Sequence, residues 1–312
     1  MIVNKTILAL GALALIAIVG IAAPWLQFIL TLAVAKGFAA VGVAILLRAG
    51  LISIGHAMFF AIGAYAVAFM ARDAGVTDFA VLILVATVVS GAAGVIVGAF
   101  MVRYRAIFFA MLNLAVSMVL FSLLSKLYGF TGGTDGLRVV SPSFFGMRPD
   151  EGTIDLIVFL ATLAGVMVIG LLVQAYLRSP LGHALSAVHT NEVRLEYLSV
   201  PVGGVLLVAY TISAALAGFG GAIAALTIGH VLPEMAFWTD SGHLVLVAVL
   251  GGIGGVAGPF IGAIFLELVH TVSAGYTDAW SMIIGIALLI VIFFLPSGLY
   301  GLIDRRSKES VV

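Results

Sequence analysis

The chain has 312 residues, equal numbers of basic and acidic side chains, and a formal net charge of zero. Hydrophobic residues make up 63% of it and charged residues 9%, with a mean hydropathy of +1.28. This composition excludes an ordinary soluble domain, because its apolar content exceeds what a soluble core requires. The absence of cysteine excludes disulfides and thiolate metal sites.

Apolar runs of roughly 20 residues recur along the chain and predict membrane-spanning helices. A helix pairs its backbone polar groups within its own segment, as lipid requires, and the alternation typical of a barrel strand is missing. We therefore expect an all-α polytopic membrane protein with about ten spans, roughly 8–10. The predicted segments are 6–23, 27–47, 51–71, 79–102, 106–127, 155–177, 203–226, 242–257, 259–274 and 280–298.

A glycine-rich stretch interrupts the apolar sequence late in the chain. It reads GGIGGVAGP and covers Gly251 to Pro259. Such a break at membrane depth needs protein or a water-filled cavity beside it. The flanking segments are therefore either two full spans or two short half-spans that cross only in part.

The basic residues indicate the orientation. If the N-terminus is cytoplasmic, nine of them lie inside and four outside, which agrees with the positive-inside rule. The inside set is Lys5, Arg48, Arg103, Arg105, Arg178, Arg194, Arg305, Arg306 and Lys308, and the outside set is Arg72, Lys126, Arg138 and Arg148. The outer face is then acidic, with Asp73, Asp78, Asp135, Asp150, Glu151, Asp155, Glu234, Asp240 and Asp278.

A polar island at 178–202 separates two apolar spans on the predicted cytoplasmic side. Ser179 and Pro180 are typical of a helix start, and Pro201 ends the segment. The spacing of its apolar residues predicts a short amphipathic helix with one shared apolar face. That face comprises Leu181, Leu185 and Val188. The island is either a docking element for a partner or a plain interfacial helix.

The longest outer connection, 128–153, contains the run TGGTDG and Pro142. Closely spaced glycines with an aspartate and a proline favour ordered turns over a slack tether.

Two charged side chains lie at predicted membrane depth, Lys36 and Glu267. An unpaired charge there costs about 2.5–3.5 kcal/mol on insertion scales. The two side chains either pair with each other, or serve separately at an interface or subunit contact. A contact with substrate is the least favoured interpretation.

Uncharged polar residues also occur inside the predicted spans. Asn113 and Ser117 share a helix face, where they either line a path or bond a neighbouring helix, the commoner case. For His56, with Ser53 just before it, a structural hydrogen bond is favoured over a gating role.

Short segments at separate places form a recognisable series: GLISIGHAMFF with GAY at 50–65, FTGGTDG at 130–136, SPLG at 179–182, NE at 191–192, SAALAG at 213–218, GGIG with GP at 251–259, and PSGL at 296–299. In this order they resemble the motifs of LivM-type permease subunits of branched-chain amino acid ABC importers. The resemblance covers roughly residues 30 to 302. It implies one permease domain of ABC importer fold over residues 1–312. The inner loop departs from the family, because His183, Ser186 and His189 stand where arginine is usual and Ser199 where glycine is usual.

The resemblance implies a transport subunit, not an enzyme, with no cofactor and no nucleic-acid partner. It would import branched-chain or related small amino acids together with a second homologous permease, two cytoplasmic ATPases and a periplasmic solute-binding protein. We expect it in the lipid of the bacterial inner membrane with both termini cytoplasmic. The loop at 178–202 would couple to the ATPases through Ser179, Pro180, Leu181, Gly182, Asn191 and Glu192. The outer loop, with Thr131, Gly132, Gly133, Asp135 and Gly136, would receive the binding protein.

Alternative functions differ in energy source and chemistry. A permease of the same family for urea-like amides or carboxylates is one, and an ion-coupled secondary transporter with broken helices near 251–259 is another. None of the four lysines follows a glycine, so the chain lacks the Gly-Lys of a P-loop. Glu267 and His270 have the spacing of a helical metal pair, but a di-metal site requires a second such pair and two more carboxylates, so we expect no metal.

Overall fold

The computed structural model describes residues 2–144, 146, 147, 149–277, 279–295 and 298–301, and only the backbone at 2–10, 151, 280 and 292. Apart from two short strands and two 3-10 helices, its regular structure is α-helical. The helices are α1 (Ile2–Ala22), α2 (Pro24–Leu47), α3 (Ala57–Asp73), α4 (Phe79–Met101), α5 (Ala106–Lys126), α6 (Tyr128–Thr131), α7 (Glu151–Arg178), α8 (Pro180–Tyr197), α9 (Val202–Ile228), α10 (Trp238–Gly251), α11 (Ala257–Ala274) and α12 (Trp280–Phe294).

Helix α9 forms the centre of the bundle and packs against α2, α3 and α4. Small residues make this close packing possible. A side chain at Gly221 would overlap the carbonyl oxygen of Phe60 on α3, so the backbones of α9 and α3 touch there. Next to it, the buried Phe38 ring meets Phe219 and Phe260 edge to face, with centroids 4.7 and 5.1 Å away. The core thus depends on backbone contact and aromatic packing together.

The membrane-spanning elements confirm an all-α multi-pass membrane protein but not ten full spans. Within the described residues, six helices are long and apolar enough to cross a bilayer. They are Pro24–Leu47, Phe79–Met101, Ala106–Lys126, Gly152–Arg178, Val202–Ile228 and Ala257–Ala274. Shorter apolar stretches at Gly11–Ala22 and Ser281–Val291 add to the bundle.

The predicted span 51–71 is wrong at its beginning. Helix α3 starts only at Ala57, and Leu51 to His56 form an irregular segment after Gly50, which has a φ of +75°. Ser53 and His56 in this segment have no exposed surface. Irregular backbone is tolerated at membrane depth where protein surrounds it. Hydropathy alone does not distinguish such a segment from a helix.

The predicted span 242–257 is also shifted. Helix α10 has 14 residues, Trp238–Gly251, a length of about 21 Å against a hydrocarbon thickness of about 30 Å. The glycine-rich stretch that follows is not helical until Ala257. Arg48 donates a hydrogen bond to the Ile253 carbonyl oxygen across this break, at 2.8 Å.

The bundle has two ends, which we call the α8 end and the sheet end. The sheet end carries the antiparallel strands β1 (Leu137–Arg138) and β2 (His230–Val231), and near it the 3-10 turn Gly133–Asp135. Basic residues of the described chain favour the α8 end, with Arg48, Arg103, Arg105, Arg178 and Arg194 there and Arg72, Lys126 and Arg138 at the sheet end. Outside the described side chains lie Lys5, Arg148, Glu151, Asp278, Pro296, Ser297, Arg305, Arg306 and Lys308.

Candidate functional site

The sequence SPLG builds the sharp turn between α7 and α8. Ser179 caps α8 by accepting a hydrogen bond from the Gly182 amide at 3.3 Å, and Pro180 occupies its first turn. A side chain at Gly182 would overlap the Tyr176 carbonyl oxygen of α7. These residues fix the angle at which α8 leaves α7.

Asn191 and Glu192 divide α8 in two and attach it to the bundle. The backbone at Asn191 is extended, with φ −165° and ψ 96°, and its side-chain oxygen accepts a hydrogen bond from the Arg194 amide at 3.0 Å. Arg105 donates to both carboxylate oxygens of Glu192, at 2.9 and 2.6 Å. This bidentate pair connects α8 to the loop between α4 and α5. Glu192 therefore already has a partner within the chain.

The apolar face of α8 differs by one residue from the prediction. Leu185, Val188 and Leu195 are buried, as is Gly182. Leu181 was predicted to share this face, but it is 44% exposed, because the close turn places Gly182 against α7 instead. Leu181 joins a second set of exposed apolar side chains on α8 and just after it. The set comprises Leu181, Val193, Tyr197 and Leu198.

The departures from the family pattern have local structural consequences. Ser199 follows α8 with a φ of +60°, the left-handed conformation that glycine adopts without strain. The His189 ring lies directly against Gly50 in the loop before α3, where glycine leaves room for it. His183 is hydrogen-bonded to the Ser179 carbonyl oxygen at 2.8 Å, and Ser186 to that of Gly182 at 3.3 Å.

The TGGTDG segment forms the compact turn that its glycines predict. The buried Thr131 hydroxyl donates to carbonyl oxygens of α5, at 2.5 Å from Leu124. Gly136 has a φ of +70°, and a side chain there would overlap the Val231 carbonyl oxygen. Asp135 accepts a hydrogen bond from the Tyr128 hydroxyl at 2.7 Å. Gly132 and Gly133 also have positive φ.

The polar residues considered for a pathway, apart from Ser117, belong to two buried hydrogen-bonded groups that meet where the His56 and Tyr210 ring centroids lie 6.2 Å apart. Both ring nitrogens of His56 are hydrogen-bonded to hydroxyls, of Ser53 at 3.0 Å and of Ser213 at 2.6 Å. Asn113 accepts from the Tyr210 hydroxyl and donates to a carbonyl oxygen in its own helix. All five side chains are completely buried. We call this group the sealed network.

Ser117 lies apart from the sealed network on α5. It is also buried and donates to the Ala236 carbonyl oxygen at 2.8 Å. This bond attaches α5 to the 3-10 turn Pro233–Ala236 that precedes α10. Ser117 thus bonds a neighbouring element of the chain.

Lys36 and Glu267 contact each other. The Lys36 ammonium, midway along α2, donates to Glu267 of α11 at 2.8 Å, with side-chain exposures of 41% and 9%. The pair lines a cavity of about 200 Å³, which we call the charged cavity. Its wall consists of Lys36, Ala57, Phe60, Met235, Asp240, His243, Leu244, Val247, Ala263, Leu266, Glu267, His270 and Ile284.

Sequence reasoning did not place three further polar residues, Asp240, His243 and His270, in one cavity with Lys36 and Glu267. Asp240 was assigned to the acidic outer face, but it stands in the first turn of α10 and lines the cavity. His243 lies three residues on, and His270 Nδ1 is 3.9 Å from Glu267 Oε1. For Asp240 and His243 the sequence did contain a signal. Polar residues just ahead of an apolar run are typical of a helix start, which predicts that α10 begins at these residues. Within the described residues, no group of three or more His, Asp or Glu side chains is arranged to hold a metal ion.

A multi-pass helical bundle with a tethered amphipathic helix at one end and a charged cavity among its shorter helices has the organisation of a membrane transport protein. The family model "Branched-chain amino acid transport system / permease component" matches residues 25–293. The chain belongs to this family.

Individual relatives agree with the family match. The chain is 28% identical over 280 residues to the LivM permease of the high-affinity branched-chain amino acid transport system of Salmonella typhimurium, and 26% identical to that of Escherichia coli. Each alignment covers 83% of this chain and 66% of the relative. The LivH permease of Escherichia coli is 24% identical over 188 residues, covering 56% of this chain and 60% of LivH. No solved structure matches the chain significantly.

Proposed function

We propose that this protein is a permease subunit of an ATP-driven importer for branched-chain or related small amino acids. The observation that carries the proposal, beside the family membership, is α8. It is an amphipathic helix held between two spans, with a separate set of apolar side chains facing outward. Exposed apolar patches of this kind mark interaction sites. The protein that binds this exposed set on α8 would be a cytoplasmic ATPase, since the chain lacks a P-loop lysine of its own.

The partners follow from this assignment. A second, homologous permease would complete the translocation path, and two ATPases would bind at the α8 end. A periplasmic solute-binding protein would dock at the sheet end, where the TGGTDG turn is located. The excess of arginines at the α8 end supports a cytoplasmic location for that end. The protein would lie in the bacterial inner membrane.

Three attachments allow α8 to act as a mechanical lever. The SPLG turn connects it to α7, the Arg105–Glu192 pair to the loop between α4 and α5, and the short segment ending at Pro201 to α9. Because α9 contacts α2 and α3 in the core, a rotation of α8 would be transmitted through α9 to the helices around the charged cavity. Small movements of packed helices are a known route for such transmission.

Reconstitution tests the proposed function. The complete transporter in liposomes should take up L-leucine only with ATP, both ATPases and the binding protein present. Uptake by this chain alone, driven by an ion gradient, would instead support a secondary transporter. ATP-dependent uptake of urea-like amides or carboxylates without amino acids would change the substrate and keep the permease assignment.

Two exposed tyrosines at opposite ends test the docking surface. Tyr197 at the α8 end is 86% exposed and Tyr276, after α11, is 89% exposed. Tyr197→Asp should abolish co-purification of the ATPases, because it places a charge in an apolar contact. Tyr276→Asp is the matched control and should leave co-purification unchanged. Equal behaviour of the two variants would contradict docking at α8.

Cysteine labelling tests the orientation, since the natural chain has no cysteine. Ser141 and Ser186 are exposed at opposite ends. Ser141→Cys should react with an impermeant maleimide in intact cells, and Ser186→Cys only after the membrane is permeabilised. The reverse pattern would invert the orientation.

A further inference from the structure

The geometry points to the charged cavity as a binding site for a small zwitterion with an apolar side chain, that is, a free α-amino acid. Lys36 would hold the carboxylate and Asp240 the ammonium group of the ligand. This inference rests on the proposed transport function and assigns a binding site within this chain to the proposed substrate.

The charges of the cavity suit a ligand that carries both signs. An ammonium has three donors, so Lys36 is able to hold Glu267 and a ligand carboxylate at the same time. Asp240 lines the same space and is exposed, whereas Glu267 is buried. Besides two histidines, the wall of the cavity has one ammonium, from Lys36, and two carboxylates, from Glu267 and Asp240, so a ligand ammonium next to Asp240 would supply a second cation. Such pairing matters because uncompensated charge is costly in apolar surroundings.

The remainder of the wall is apolar and suits an aliphatic side chain. Phe60, Leu244, Leu266 and Ile284 line it. The volume of about 200 Å³ exceeds the roughly 150 Å³ of an engineered apolar cavity that binds benzene, so the space fits a small solute. A urea-like amide would leave the apolar wall uncovered, and a simple carboxylate would bring no cation to Asp240. The cavity therefore favours an amino acid over either alternative substrate.

Glu267 is a positioning residue in this site. It lies at 9% side-chain exposure and holds the Lys36 ammonium at 2.8 Å, on the cavity side of α2. Removing Lys36 alone leaves this buried carboxylate unpaired and threatens folding. A test that relies on one Lys36 variant would therefore confuse lost binding with lost structure.

Direct binding to the purified transporter with its ATPases, but without the binding protein, tests the site. Titration calorimetry with L-leucine is the measurement, with leucinamide and 4-methylpentanoate as probes that each lack one charge. Both probes should bind at least about tenfold more weakly than leucine, since each loses a charged hydrogen bond. Lys36→Met and Asp240→Asn should weaken leucine binding by about tenfold to a hundredfold. Lys126→Met and Asp73→Asn make the same chemical changes near the sheet end and should bind leucine normally.

A charge exchange separates binding from structure. The double variant Lys36→Glu with Glu267→Lys keeps the ion pair, so the transporter should assemble, but the ammonium now belongs to the more buried position on α11. Leucine binding should remain lost. If the exchange restores normal binding, Lys36 is only a structural partner and the inference is overturned.

The outcomes also separate this inference from the proposed function. Normal leucine binding by both Lys36→Met and Asp240→Asn would overturn the cavity as the site. The permease assignment would survive if the wild-type transporter still shows ATP-dependent uptake of leucine. A wild-type transporter without ATP-dependent uptake of any amino acid would overturn both.

Discussion

The sealed network and the charged cavity both place polar groups within the bundle, but they do so in opposite ways. In the sealed network every member is completely buried, and both nitrogens of His56 have hydroxyl partners. In the charged cavity the Lys36 side chain is 41% exposed beside open space. Buried polar groups that are fully satisfied specify a structure. Charged groups of both signs around a space have capacity for a ligand.

The comparison also explains why position along a span is a poor guide to function. His56 and Lys36 both belong to apolar segments of the sequence. The difference arises from their neighbours, because Ser213 of α9 closes over His56, whereas short α10 leaves space beside Lys36. Of the substitutions below, given in order of expected effect, His56→Leu tests this difference directly, and the others test the packing and attachments of the surrounding helices.

Gly221→Val should have the largest effect and should prevent folding. Its side chain would overlap the Phe60 carbonyl oxygen and force α9 away from α3. Backbone overlap of this kind belongs to the rare class of changes above about 4 kcal/mol. Gly285→Val on α12 is the control, because a side chain there meets nothing within 4 Å. Folded yield after membrane extraction is the measurement, and a normal yield for Gly221→Val would show that the close packing is not required.

His56→Leu should destabilise the sealed network by about 3 kcal/mol, since the Ser53 and Ser213 hydroxyls both lose a partner. A lower thermal unfolding midpoint, with unchanged leucine affinity of the folded fraction, is the expected result. His183→Leu changes an exposed histidine and serves as the reference. A variant with normal stability and weakened leucine binding would assign His56 to the ligand path.

Replacing Arg105 or Glu192 with alanine should lower the free energy of unfolding by only about 1 kcal/mol, because the ion pair is only partly buried. Either alanine variant should reduce ATP-dependent uptake by about twofold to tenfold while the ATPase rate is kept, since α8 loses an attachment. Exchanging the two charges should restore uptake, in contrast to the exchange of Lys36 and Glu267. Normal uptake by both alanine variants would show that this ion pair is not needed for α8 to transmit movement.

The substitution Ser199→Gly lies outside both regions and should have the smallest effect on stability. Unlike the other substitutions, it should increase the stability. A non-glycine residue in the left-handed conformation costs about 1–2 kcal/mol relative to the right-handed one, so glycine at φ +60° should stabilise the end of α8 by about 1 kcal/mol. The unfolding midpoint should rise slightly. A decrease would mean that the Ser199 hydroxyl makes a contact worth more than the strain.

Much of the fold follows from the sequence, because apolar length alone predicts the long helices. The segment from Leu51 to Ile54 shows where this reasoning fails. Three of its four residues are apolar like those of a span, yet the segment forms irregular backbone. Hydropathy alone does not distinguish an apolar irregular segment from an apolar helix. Gly50 and Gly55 on either side were the available signal, since glycine at both ends of an apolar stretch indicates close backbone approach.

The site was harder to predict because it depends on contacts between distant segments. The sequence indicated that Lys36 and Glu267 need partners, and a pair between the two was one of the interpretations it allowed. It gave no reason to place Asp240 near them, since the position of Asp240 depends on where α10 begins. Leu181 was assigned to the wrong face for a related reason, because the turn into α8 is set by Gly182 meeting the Tyr176 carbonyl oxygen.

The Lys36–Glu267 pair has a consequence for how the transporter responds to membrane voltage. Moving one elementary charge through a full potential of 100 mV requires about 2.3 kcal/mol. Because the two opposite charges lie 2.8 Å apart, a joint displacement of α2 and α11 would carry almost no net charge through the field. The zwitterionic ligand that we propose is likewise neutral overall. The pair itself therefore adds almost no voltage dependence to a joint movement of these helices.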